Sequence, residues 1–394
     1  MRFRAGWLAG AVGLAIGSAS AQTASQSAEI VIGMTVPYTG ANAAYGTIGR
    51  TVDAFFRMIN EQGGINGRMV RFISYDDEYS AARAFEQTRR LVEQDEVHLI
   101  FRTVGTPANL AIRDYLNEKG VPQLFVATGA ELFDDPVNYP WTMRWNGSFR
   151  AEGAVYGRYI AATYPGARVG VVYQNDDFGR DYLGGLRGAL GPAFEIVEAP
   201  YDVTEATMDG QIALLQGADI DVLANFGSPR FAGQVLRRLG ELDWHPPQIQ
   251  ANISASVGGV IEPAGIENAL GNVTALFAKD PGWPGWADYP DIVEFHRFMA
   301  AYYPAGDPRG VFESSAYATS NALAEVLRMA GEDLSRDNIM RVASNIVDME
   351  VPNLIPGILI NTSPTDFAPI EQFILARFDG TAFVPFGEVI DVGD

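Results

Sequence analysis

Cysteine is absent from all 394 residues, which excludes a disulfide framework, a thiolate nucleophile and a thiolate metal site. Histidine is almost absent too. His98, His245 and His296 stand far apart and form no ligand-spaced pair, so no metal site is expected. Positive charge is scarce: 28 Lys and Arg face 48 Asp and Glu, a net charge of −20. That argues against nucleic acid and anionic membrane as partners, although it does not fix the charge of a small ligand. Beyond the leader no run of about 18 apolar residues occurs, as a membrane span requires. There is no G-x-S-x-G elbow, no H-E-x-x-H pair and no phosphate-cradling G-x-x-x-x-G-K-[ST]. A hydrolase is therefore not expected, no catalytic residue is assigned and no cofactor is implied.

What remains is ordinary globular chemistry, 47% hydrophobic and 19% charged, in a chain too long for one typical core. The first 21 residues form a separate object. Arg2 and Arg4 precede a small-residue apolar run over 7–17, and Ala19-Ser20-Ala21 is an A-x-A site. They read as a secretory signal cut after Ala21. The mature chain is expected to be exported and soluble, most simply in a bacterial periplasm. No Cys follows the site, so a lipid anchor is not expected.

The organising stretch spans residues 99–130. A short apolar strand at 99–101 leads to a polar turn with Thr103, Gly105 and Thr106. Pro107 opens a helix and Gly120 stops it. A second strand then delivers Ala127 and Thr128 to the same sheet edge, the edge at which open α/β sheets bind ligands. Hydroxyls and free N–H groups at a helix start suit an anion. Capping threonines in a plain αβ connection are the alternative. Strands at 29–36 and 70–75 and helices at 45–60 and 81–93 complete a βαβαβα order. On the 45–60 helix, Val52, Phe55, Phe56 and Ile59 share a face. A second series follows, with strands at 168–173, 194–199, 222–225 and 248–251. The fold class is α/β: two Rossmann-like parallel-sheet domains joined by a three-segment hinge. Domain one takes 28–140 plus 284–350, and domain two takes 146–280 plus 357–394. The crossovers fall near 140–146, 280–286 and 351–356.

Several segments, in order, resemble one known family. They are Gly33-Met34-Thr35-Val36-Pro37-Tyr38-Thr39-Gly40 with Ala44-Tyr45-Gly46, and Ile59-Asn60-Glu61-Gln62-Gly63-Gly64-Ile65-Asn66-Gly67. Asp76-Asp77, Val126-Ala127-Thr128 and Asp176-Asp177-Phe178-Gly179 follow. The chain resembles the periplasmic solute-binding proteins of ATP-binding-cassette importers, in the branch of branched-chain amino acid binders. The resemblance covers about 29–392. It implies a Venus-flytrap fold, a ligand in the cleft and delivery to a membrane permease by a monomer. It also implies a ligand carboxylate held by Thr103, Gly105, Thr106, Ala127 and Thr128. Tyr45 would stand at the cleft wall, with Phe178, Phe226, Asn252 and Ser254 added from domain two.

Alternatives stay open at several positions. Tyr45 and Phe178 read as cleft wall or as core. Asp76-Asp77 read as a turn tie rather than an acid–base or metal pair. Arg102 and Arg144 either meet a ligand carboxylate or bridge domains. Trp141, Trp145, Trp283 and Trp286 read as hinge packing. Amino acid binders of the family carry an acid in the turn after the fourth strand of domain two, which pairs with the ligand ammonium. The turn here, 251–256, has none. The expected ligand is a small aromatic or aliphatic carboxylate without an α-amino group. The alternatives are an amino acid ligand, or a sensor that docks on a receptor.

Overall fold

The computed structural model describes residues 29–40 and 42–393; the leader and its cleavage site lie outside them. Strands β1 (Ile30–Val36), β2 (Val70–Asp76), β3 (Leu99–Phe101), β4 (Gln123–Val126) and β5 (Thr142–Arg144) form a parallel sheet in the order β2-β1-β3-β4-β5. Helices α1 (Gly46–Glu61), α2 (Ala81–Glu93) and α3 (Thr106–Lys119) cross between them. β1 is buried along its whole length, as a strand covered on both faces must be. Val52, Phe55, Phe56 and Ile59 of α1 are all buried. Burying each such side chain contributes about 1.5–3 kcal/mol.

The second sheet repeats the plan. β6 (Val169–Gln174), β7 (Ile196–Tyr201), β8 (Val222–Phe226), β9 (Gln248–Gln250) and β10 (Val273–Leu276) run parallel, ordered β7-β6-β8-β9-β10. This is the first sheet's order, with the opening strand second from the edge. The antiparallel pair β11 (Gln372–Phe378) and β12 (Phe383–Asp391) extends it beyond β10, so this sheet is mixed rather than parallel. Its helices are α4 (Phe149–Thr163), α5 (Asp177–Leu190), α6 (Asp209–Gly217), α7 (Pro229–Glu241) and the single turn α8 (Glu262–Ala264). An aromatic stack of Phe149, Tyr182, Phe226 and Tyr156 fills the interior beneath its carboxyl edge, with successive ring centroids 4.9, 4.8 and 5.9 Å apart.

The chain passes between the sheets three times: after β5, after β10, and before β11. Helices α9 (Pro290–Tyr302), α10 (Val311–Ala330) and α11 (Arg336–Ala343) lie between the second and third passages, and α9 and α10 pack on α1. The second and third passages run side by side. Ala278 and Leu354 form an antiparallel bridge, and Lys279 N donates to Asn353 O at 2.8 Å. Lys279 Nζ donates to Leu354 O at 2.8 Å and pairs with Asp291 at 2.5 Å.

Three local expectations need correction. Residues 142–144 form β5 rather than a crossover; the strand is short, and Tyr139-Pro140-Trp141 before it masks its start. β10 is a strand that the sequence reading passes over, because four apolar residues carry no period that separates strand from buried helix. Residues 358–361, which read from the sequence as a short strand, carry only one bridge, between Ile360 and Met349.

Candidate functional site

The carboxyl ends of both sheets face one cavity of about 930 Å³, its mouth included. On the first sheet, Arg102 follows the last residue of β3, and its φ of +53° turns the chain sharply. Gly105, at φ +95°, then sets the start of α3. Gly105 is required on a second ground, since a Cβ there would stand 2.6 Å from the Tyr79 ring. No side chain caps α3, so its first N–H groups offer a partial positive charge beside the cavity. Thr106 Oγ1 lies 2.7 Å from Thr128 Oγ1. Only one of two hydroxyls can donate to the other, which leaves the second proton free for a ligand.

Arg102 is the exceptional group. It is 2% exposed and lines the cavity. Nη2 donates to Ser315 Oγ at 2.7 Å, while Nε and Nη1 have no partner. Among the described residues it forms no ion pair, and burial alone lowers its pKa to about 9. Arginines normally enter protein interiors with a carboxylate. Lys279, also at the cavity, differs: its charge is already matched by Asp291.

The walls are aromatic. Tyr45 stands 5.2 Å from Phe312 and 6.3 Å from Tyr79, centroid to centroid. Tyr79 holds a left-handed turn at φ +59°, and Asp76 and Asp77 fix that turn. Asp76 accepts from Tyr38 N at 2.9 Å and Glu78 N at 3.0 Å, and Asp77 accepts from Tyr79 N at 2.8 Å. Burial works against the Asp76 charge, but hydrogen bonds from Thr39, Glu78 and Tyr38 outweigh it and hold the pKa below the usual range. At Asp77 burial outweighs the hydrogen bonds from Tyr79 and Thr35 and raises the pKa to about 7. The pair therefore ties a turn. From the second sheet come Phe149, Phe178 and Asn252. Asn252 N donates to Glu152 Oε1 at 2.9 Å, and its Nδ2 donates to Ala275 O at 2.7 Å. Glu152 also takes the hydroxyls of Tyr156 and Tyr182, at 2.6 and 2.8 Å. Burial raises its pKa to about 7.

Of the expected site residues, Tyr45, Arg102, Gly105, Thr106, Ala127, Thr128, Phe178 and Asn252 meet at the cavity. Thr103, Phe226 and Ser254 do not line it. Thr103 faces Thr35, with hydroxyls 3.5 Å apart, and its carbonyl accepts Asn109 Nδ2 at 2.7 Å. Phe226 is held in the aromatic stack between Tyr156 and Tyr182. Ser254 donates to Gly227 O at 2.5 Å. Arg144 is also away from the cavity, 3.6 Å from Glu131 and 3.8 Å from Asp134.

The sequence reading missed Tyr79, Asn146, Phe149, Phe312, Ser315, residues 276–280 and Phe383, all at the cavity. Tyr79 had a signal, since it follows the strand-ending Asp76-Asp77. Ser315 and Phe383 had none, being brought in from over 200 residues beyond Arg102.

Two doubly wound lobes with a ligand cavity between their strand ends define a hinged solute-binding protein of type I topology. The chain matches the periplasmic binding protein family over residues 29–382, and it belongs to that family. A Leu/Ile/Val-binding protein homolog 1 of Brucella melitensis is 23% identical over 327 residues, 82% of this chain and 84% of the relative. A branched-chain amino acid ABC transporter protein from Thermus thermophilus, solved with bound valine, superposes with a TM-score of 0.83 at 18% identity, covering 92% of this chain and 97% of that one. An ABC transporter solute-binding protein of R. palustris, solved with benzoate, gives 0.78 at 20% identity, covering 92% and 98%.

Proposed function

We propose that this chain is the solute-binding component of an ABC importer and closes on a small monocarboxylate with an apolar, aromatic or alkyl body and no α-amino group. The observation that carries this reading is the buried Arg102 guanidinium, which lines the cavity with two nitrogens unbonded and no acid beside it. A ligand carboxylate would supply the missing charge and meet the Thr106–Thr128 pair and the open start of α3. Tyr45, Tyr79, Phe149, Phe178, Phe277, Phe312 and Phe383 suit a ring. The solved relative with benzoate holds a ligand of this kind; the one with valine keeps an amino acid ligand as the second reading.

In this reading the protein acts as an exported monomer in the periplasm, its leader cut after Ala21, and delivers its ligand to a membrane permease. The lobes comprise 28–144 with 284–350, and 146–280 with 357–394, the first boundary moved from 140 so that β5 stays with lobe one. Ser315 Oγ accepts from Arg102 and has no hydrogen bond to a base among the described residues, and Thr106 bonds Thr128. The site is built for holding rather than for turnover. Calorimetry on refolded, ligand-stripped protein tests the reading. Micromolar binding of benzoate-like or short-chain acids is expected. Micromolar binding of leucine, isoleucine or valine without any of those acids overturns it.

A further inference from the structure

The cavity holds a second charge that the carboxylate reading leaves unused. Asp280 is 2% exposed and lines the same cavity as Arg102. Its Oδ1 accepts from Gly282 N at 2.8 Å and its Oδ2 from Phe383 N at 3.3 Å. No cation stands within 4 Å of it among the described residues. The neighbouring Lys279 is committed to Asp291, and Arg309 pairs with Glu262 and Asp307. A carboxylate has about four acceptor sites, so two peptide N–H groups leave capacity unfilled. Arg102 and Asp280 do not pair with each other: Arg102 bonds only Ser315, and burial is the sole cause of its lowered pKa. One cavity therefore carries an unmatched donor and an under-filled acceptor that do not meet, with an aromatic lining around them.

A molecule that satisfies both needs an acceptor at one place and a donor at another. An α-amino acid carries its donor on the carbon that bears the carboxylate, whereas Asp280 forms no ion pair with Arg102 among the described residues. An unsubstituted acid such as benzoate fills only the first. We propose that the ligand carries, besides its carboxylate, a hydroxyl on the far part of its body, and that Asp280 accepts the hydrogen bond from it. This rests on the carboxylate reading above and narrows it to hydroxy-substituted aromatic acids. Asp280 is then a specificity-determining residue, and Arg102 is the anchor.

The probes are benzoate, 3-hydroxybenzoate and 4-hydroxybenzoate, titrated calorimetrically into ligand-stripped wild type and Asp280→Asn. At least one hydroxybenzoate should bind wild type ten or more times tighter than benzoate, about 1.4 kcal/mol for tenfold. In Asp280→Asn that ratio should fall to within threefold of unity. Asp280→Ser serves if the Asn protein does not fold. Equal binding of all three acids by wild type overturns the proposal and leaves the carboxylate reading standing, and this arm needs no variant. A preference that survives unchanged in the variant overturns the role of Asp280. Binding of none of the three overturns the proposal, and failure of short-chain acids as well removes the carboxylate reading itself.

Discussion

Replacing Arg102 with Met should move ligand affinity and apo stability in opposite directions. Without ligand, the guanidinium is buried with one hydrogen bond, to Ser315. The fall of its pKa to about 9 reflects how poorly the interior tolerates the charge, on the order of 5 kcal/mol before relaxation. Met fills similar space without charge. Replacing buried ions by apolar groups is often neutral or stabilising by about 1–4 kcal/mol, and the lost Ser315 bond returns about 1 kcal/mol of that. The apo variant should therefore melt no lower than wild type, and most simply a few degrees higher. With ligand the sign reverses. The ligand carboxylate would enter a closed, apolar cavity without its cation, and breaking such a pair costs about 3–5 kcal/mol. Affinity should fall by roughly two to three and a half decades at 1.4 kcal/mol per decade. Differential scanning calorimetry without ligand and titration calorimetry with benzoate read the two effects on one sample. A variant that binds within a few-fold of wild type, or an apo protein that loses several kcal/mol, would refute the anchor.

Thr128→Val removes one hydroxyl of the Thr106–Thr128 pair, and titration calorimetry should show about a tenfold loss of affinity with a stability change within about 1–2 kcal/mol; unchanged affinity would restrict the pair to a structural role. Asp77 and Glu152, raised by burial to about 7, and Asp280, raised to about 6, keep protons in the folded chain that the unfolded chain releases near pH 4. Their stabilisation is fully present below that pH and is lost as pH rises through 6 and 7. Melting temperature should therefore rise from pH 8 to pH 5, and Glu152→Gln should flatten the slope. The lowered Asp76 and Asp291 lose their contribution only below the ordinary carboxylate range, outside this window, so a melting temperature that falls between pH 8 and 5 contradicts the argument. Across the cleft rim, Arg309 meets Glu262 at 3.1 Å, both partly exposed. Glu262→Gln should weaken ligand binding by no more than about fivefold, as an exposed pair worth under ~1 kcal/mol allows, and added salt should erase the difference between variant and wild type.

Much of the architecture was legible because it is local. Buried strands announce themselves as short apolar runs, as at Ile30–Val36. Pro107 and Gly120 mark the ends of α3, one at the first turn and the other as a left-handed cap at φ +57°. The 3.6-residue spacing of Val52, Phe55, Phe56 and Ile59 is a property of α1 alone. Where local signal is thin, the reading failed: β10 and α11 were not found, one a short unpatterned apolar run and the other a polar, eight-residue helix.

The site divides along the same line. Strand ends and turn residues placed Thr106, Ala127 and Thr128 at one sheet edge, since a parallel sheet puts all its strand carboxyl ends on one side. Which neighbour faces the ligand was decided by tertiary packing. Thr103 turned toward Thr35, Phe226 joined an aromatic stack, and Ser254 bonded Gly227. Arg102 shows the difference most clearly. The sequence shows an arginine at a strand end and nothing more. Its partner Ser315 lies 213 residues away, and its chemical meaning depends on the acids that are not near it. An unpaired charge is a property of everything folded around a residue, and only the tertiary structure brings those surroundings together.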